Sequence, residues 1–202
     1  AASTSGRRRR STRCCGGWLS ARSGDIEEPA PTRHEGRMWY RTAYRLAYGM
    51  TVDSSTPVTV SQVIGIIAAI SPKTQWWQNV MLAKQVLQAG VMVQGHTSDT
   101  MTKVNRILAG EAPLEVLGGK KVRSFYLNIE SQGIDPTVVT IDRHAWRTVC
   151  GRHELADRNS VPAAGYDLAR DAFTRAAEIL TRQGAPITPA ELQAVVWVPR
   201  AA

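Results

Sequence analysis

Cysteine is scarce in this chain. Cys14, Cys15 and Cys150 are the three present in 202 residues, too few for a disulfide framework, and adjacent cysteines rarely pair with each other. The same count excludes a four-cysteine zinc or iron–sulfur site. No iron–sulfur cluster is therefore expected; no other cofactor is expected either, and a reducing cytoplasm is the simplest location. Long apolar runs are missing too. The longest, residues 63–70, suits a buried helix and falls far short of a membrane span, so no membrane partner is expected. Internal repeats are absent, and strand signals are confined to short runs. Acidic residues are in deficit, 17 against 25 lysines and arginines. The net charge of +8 suits a polyanionic partner such as DNA.

What is present is enough for one domain with a tail. Hydrophobic residues make up 43% of the chain, sufficient for a core, and 21% are charged. Residues 1–33 are rich in Arg, Ser and Gly and show no apolar periodicity, which marks a disordered basic tail. Seven arginines there oppose Asp25, Glu27 and Glu28. A nucleic-acid arm, a targeting peptide and sequence upstream of the true start (the first Met is Met38) compete to explain it, and the last is the plainest.

Residues 34–202 read as an all-α domain. Met38, Trp39, Ala43, Leu46 and Ala47 recur at helical spacing and end near Gly49. A strongly apolar helix follows Thr59 and stops at Ser71-Pro72. Thr74 is placed to cap a third helix through Trp77, Val80, Met81 and Leu87. A short fourth helix spans about 100–108, and residues 111–119 form a turn-rich connection. The pattern continues with a helix at 120–131 and an extended stretch at 136–141. Asp142 then N-caps a helix to Gly151, and further helices cover 166–183 and 189–197.

Two segments carry chemistry. Gly118 and Gly119 let the backbone approach a phosphate at the start of a helix whose first N–H groups can bind it. Lys120, Lys121 and Arg123 follow in the first turn. A lysine there acts as a nucleophile once its amine loses its proton, which partial burial or neighbouring positive charge promotes. About twenty residues later, Asp142 stands where the cap hydrogen bonds and the helix dipole favour its anion. It is placed to stabilise positive charge on a sugar ring or to orient a water.

These residues resemble the helix-hairpin-helix DNA glycosylase superfamily, which includes the endonuclease III and 8-oxoguanine glycosylase families. Gly119-Lys120-Lys121-Val122 matches the superfamily's Gly-x-Lys helix start, with Lys121 on the catalytic lysine. Ile141-Asp142-Arg143-His144 with Trp146-Arg147 matches its Val-Asp-x-His element, with Asp142 on the catalytic aspartate. Ile70-Ser71-Pro72-Lys73-Thr74-Gln75-Trp76-Trp77-Gln78-Asn79 looks like the helix junction that lines the DNA cleft and base pocket. The likeness covers roughly residues 38–155 and extends to small phage-encoded members of the superfamily. The hairpin, Glu115-Val116-Leu117-Gly118-Gly119, lacks the usual proline and first glycine, and Lys73 stands where a glutamine is usual.

The resemblance implies a two-lobed helical domain with a cleft. It implies a monomeric DNA N-glycosylase, with or without lyase activity, in a bacterial or phage-infected cell. Lys121 and Asp142 would be catalytic, and Gly118, Gly119, Lys120, Arg123, Arg143 and Arg147 would hold DNA. Ser71, Lys73, Trp76, Trp77, Asn79, Tyr126, His144 and Trp146 would line the pocket for a flipped base. The alternatives are a DNA-binding protein that has lost the chemistry and an enzyme that modifies bases in phage DNA. Taken singly, a first-turn lysine is usually solvated and an N-cap aspartate is commonplace. Of Trp76 and Trp77, one is expected in the core. Phe125 is expected there ahead of Tyr126, and the Val195-Val196-Trp197 run is expected to be buried packing. Asp142, His144 and His153 are not expected to hold a metal, because an i,i+2 pair falls on different helix faces.

Overall fold

A computed structural model describes residues 33–151 and 161–201, and every described element is helical. In chain order these are α1 (Arg33–Val52), α2 (Val60–Ile70), α3 (Trp76–Ala89), α4 (Ser98–Leu108), α5 (Pro113–Val116), α6 (Lys120–Glu130), α7 (Arg143–Cys150), α8 (Ala163–Arg182) and α9 (Pro189–Ala201). The all-α expectation is met. No described helix is long and apolar enough to cross a membrane.

The central element is α2. All its residues from Val63 to Ile70 are buried, as an all-apolar helix requires. A capping box fixes its start: Thr59 Oγ1 accepts from Gln62 N, and Gln62 Oε1 accepts from Thr59 N at 2.9 Å. Around it pack α1, α3, α4, α5 and α6. Each fully buried isoleucine of α2 contributes roughly 1.5–3 kcal/mol.

A second hydrophobic cluster joins Val139, Ile141, Ala145, Trp146, Tyr166, Ala169 and Phe173. Helix α9 bridges the two clusters, with Ala190 and Ala194 in the first and Leu192 and Val196 against the second. Its start is another capping box, in which Glu191 N donates to Thr188 Oγ1 (3.0 Å) and Thr188 N donates to Glu191 Oε2 (3.1 Å). Glu191 also receives Arg41 from α1 at 3.3 Å. Where α1 and α9 cross, Gly36 permits contact: a Cβ there would lie 2.6 Å from Val195 Cα.

The structure departs from the expected elements in several places. Helix α1 continues past Gly49 because Met50 beyond it is buried, which outweighs a glycine cost of about 1 kcal/mol. The N-cap of α3 is Gln75, without a side-chain bond, and Thr74 instead faces Pro72 O (3.3 Å) and His96 Nε2 (3.2 Å). Thr97 caps α4, so that helix begins two residues earlier than its apolar spacing indicates. The turn-rich connection contains α5, which starts on Pro113. The basic tail, apart from Arg33, and His153 lie outside the described residues.

Candidate functional site

The hairpin between α5 and α6 is seated by packing. Gly65 on α2 makes room for Pro113, since a Cβ at Gly65 would lie 2.8 Å from its ring. Val116 and Leu117 are buried beneath the turn. Gly118 and Gly119 are then exposed, and Gly119 adopts φ 74°, a left-handed value that favours glycine. Gly119 N-caps α6 with no side-chain bond and no acidic residue in the first turn, leaving the leading amides open to an anion. The Arg123 guanidinium braces the turn by donating to the carbonyls of Leu114 and of Leu117, the latter at 3.1 Å. Arg123 thus has a structural task beside any contact with DNA.

The first-turn lysines have different settings. Lys120 is exposed, pairs with Asp167 at 2.7 Å and lies 5.8 Å from the centre of the Tyr166 ring. Lys121 is half-buried and forms no ion pair or hydrogen bond with the described residues. It shares a helix face with Ser124, Phe125 and Asn128 at i+3, i+4 and i+7.

That face leads to an aromatic cluster drawn from four helices. Trp39 of α1 lies 4.9 Å from Trp76 of α3, 5.8 Å from Phe125 of α6 and 5.0 Å edge-on from Trp197 of α9, measured between ring centres. All four rings are half-buried. The rings keep part of their surface open, and one of them, Phe125, lies one turn from Lys121 on α6. Partly exposed rings of this kind offer stacking area to a planar ligand.

The segment leading to Asp142 is bolted down by side chains, beginning with Asn128 of α6. With its amide oxygen toward Thr140, Asn128 accepts from Thr140 N (3.1 Å) and Oγ1 (2.9 Å) and donates to Val138 O (3.0 Å). The Tyr166 hydroxyl from α8 receives Ile141 N at 3.3 Å and lies 3.1 Å from Val139 O and 3.0 Å from Ser124 Oγ. Burial raises its pKa, partly offset by the bonds to Ser124 and Ile141 and by the charges of Lys120 and Arg170. Deeper in, Tyr40 donates to Gln193 Oε1 at 2.8 Å, and burial raises its pKa strongly. Asp142 lies close enough to that hydroxyl to raise it further.

Asp142 caps α7 as expected. One oxygen, Oδ1, accepts from His144 N (3.0 Å) and Ala145 N (2.8 Å). The other makes no hydrogen bond with the described residues, and no direct ion pair joins Asp142 to Lys121.

The other expected site residues are scattered in role. Ser71 bonds back to Ala68 O and closes α2. Lys73 is exposed at φ 62°, beside a concavity of about 630 Å³ shared with His96 and Met81. Asn79 is buried and donates to Ile67 O at 2.9 Å, tying α3 to α2. Trp77 is 59% exposed, its indole N–H held by Gln75 at 2.7 Å. Tyr126, not Phe125, is the core member, 5% exposed and 2.6 Å from Ser61 Oγ. Trp146 is buried against Gly165 in the second cluster, apart from the aromatic group. Arg143 is exposed and donates to His144 Nε2 at 3.2 Å, and Arg147 is half-buried on the same helix. Among the described residues no three His, Cys, Asp or Glu side chains gather as a metal site. Sequence reasoning assigned Trp39 and Trp197 to packing and passed over Asn128 and Tyr166. No local signal in the sequence pointed to Trp39 and Trp197, which meet because α1 and α9 pack together.

Residues 6–201 match a family of unknown function (DUF7178). No curated protein and no solved structure matches the chain.

Proposed function

The chain belongs to the DUF7178 family, and on the strength of its own residues we propose that it is a DNA N-glycosylase acting on a base flipped out of the duplex. The observation that carries this reading is the half-buried ring cluster of Trp39, Trp76, Phe125 and Trp197, whose member Phe125 lies one turn from Lys121 on α6. A planar base stacks there, while the open N-terminus of α6 after Gly118-Gly119 takes a backbone phosphate. The two hydrophobic clusters bridged by α9 suit the two lobes of a glycosylase-type domain, working as a monomer.

In this reading the Lys121 amine, once deprotonated, attacks the sugar C1′ and the base departs. The unbonded Asp142 oxygen stabilises the oxocarbenium-like charge that develops. If Lys121 stays solvated, that same oxygen directs water and the enzyme is monofunctional. The test is incubation of purified protein with duplexes carrying a panel of damaged or modified bases, followed by borohydride trapping. A trapped adduct lost in Lys121→Ala supports the lyase form. Base release without an adduct limits the activity to hydrolysis, and no release from any duplex removes the glycosylase reading.

A second reading is favoured by one observation. One oxygen of Asp142 caps α7, a role that a DNA-binding protein without chemistry also needs. Unchanged DNA affinity in Asp142→Asn and Lys121→Ala, with no base release by the wild type, is its signature.

A further inference from the structure

A second feature lies on another side of α6. A concavity of about 340 Å³ opens between α6, residues 137–139 and α8, and neither Lys121 nor Asp142 lines it. Three cations surround it: Lys120, Arg123 and Arg170. Among the described residues one carboxylate of the lining, Asp167, bridges two of them across the opening. Its Oδ2 takes Lys120 at 2.7 Å and its Oδ1 takes Arg170 at 3.2 Å. Arg170 also reaches Asp171 at 2.9 Å, outside the lining, while Arg123 faces no carboxylate among the described residues.

We propose that this concavity binds the phosphate of a nucleotide, and that Asp167 occupies the phosphate position in the free protein. The bridging pairs are about half exposed, at 58%, 46% and 40% for Lys120, Asp167 and Arg170. Ion pairs so exposed hold weakly in water. A phosphate carries more oxygens and more charge than the carboxylate, and charge-assisted bonds to Lys and Arg favour it. The rest of the lining suits what a nucleotide attaches to its phosphate. Ser124 and Thr137 add polar side chains to the lining, and Leu127, Val138 and Val139 supply an apolar wall. The volume lies at the lower end of the range for small-ligand sites, about 300–1,000 Å³. The phosphate can come from a free nucleotide or from the end of a DNA strand, and the chemistry of recognition is the same.

The site stands apart from the Lys121 and Asp142 chemistry, and its test involves no base release. The full chain is titrated calorimetrically with deoxynucleoside 5′-monophosphates, the matching deoxynucleosides, and short oligonucleotides with a 5′-phosphate or a 5′-hydroxyl. Phosphorylated ligands should bind with salt-sensitive affinity, and their unphosphorylated partners roughly tenfold more weakly or worse. Arg170→Gln should weaken binding by roughly tenfold, and Asp167→Asn should tighten it several-fold by removing the internal competitor. The two surface substitutions move affinity in opposite directions, which loss of fold cannot imitate. Preference for the monophosphate assigns the site to free nucleotides, and preference for the phosphorylated oligonucleotide assigns it to strand ends. No saturable binding, equal binding with and without phosphate, or an affinity unmoved by Asp167→Asn overturns the proposal.

Discussion

The hydroxyl of Tyr166 lies 3.0 Å from that of Ser124, and this contact sets α6 against the segment that ends in Asp142. Ser124 is one turn from Lys121, and the same phenol receives Ile141 N, the residue before Asp142. One buried oxygen thus relates the helix of the proposed nucleophile to the backbone of its carboxylate. Tyr166→Phe leaves Ile141 N and Val139 O without that partner. The expected cost is about 1–3 kcal/mol, the usual penalty for buried polar groups left unpaired. Urea unfolding measures it. A change within error would mean that the phenol has no structural part and that α6 is held by packing alone.

Three phenols, those of Tyr40, Tyr126 and Tyr166, are raised above 10.0, each chiefly by burial. A folded pKa above the unfolded value gives stability that is complete below the unfolded pKa and lost as pH rises. Above about pH 10 the unfolded chain releases phenolic protons that the folded chain keeps. Stability should therefore fall steeply on the alkaline side, by up to roughly 1.4 kcal/mol per pH unit for each phenol. Tyr40 is shifted furthest, so Tyr40→Phe should flatten the slope even while lowering stability near neutrality. Urea midpoints between about pH 8 and pH 11 decide it. An identical slope in the variant would remove Tyr40 from the account.

The helices were legible because their apolar residues recur at helical spacing, and Asp142 was legible because an N-cap is a local bargain between one side chain and two amides. Thr74 illustrates the opposite case. It has the right chemistry for a cap but turns to His96, a partner twenty-two residues away that no local rule supplies. Neighbouring aromatics were ambiguous for a related reason. Val122 and Ile129 complete an apolar stripe with either Phe125 or Tyr126, and the choice falls to Tyr126 because its hydroxyl pairs with that of Ser61 on α2. Trp39, Trp76, Phe125 and Trp197 lie in four separate helices, so their meeting was invisible until those helices were packed.

The seating of the hairpin gives a paired prediction. In Gly65→Ala the new Cβ meets the Pro113 ring at 2.8 Å, which should cost about 1–3 kcal/mol as overpacking does and push α5 off α2. Gly49→Ala adds a Cβ to another buried-side helix with nothing within 4 Å. That change should stabilise by about 0.5–1 kcal/mol, the difference between the two residues inside a helix. Thermal unfolding reads both. DNA affinity, measured by fluorescence anisotropy, should fall only in Gly65→Ala if the hairpin grips the backbone.

Asp142 has two candidate roles, and isosteric and truncating substitutions separate them. Asparagine caps helices as well as aspartate does, because its side-chain oxygen accepts the same amides. Asp142→Asn should therefore unfold within about 0.5 kcal/mol of the wild type, whereas Asp142→Ala, which leaves His144 N and Ala145 N unpaired, should lose about 1 kcal/mol. Asparagine cannot supply the negative charge that an oxocarbenium-like state requires. Base release should then fall by at least about a hundredfold in both variants, from the scale of a lost electrostatic contact. Should Asp142→Asn keep full activity, the carboxylate charge is irrelevant and only the cap remains. Equal loss of stability in the two variants would instead show that the amide fails to cap α7, and the activity comparison would need Asp142→Ser, which restores the cap without the charge.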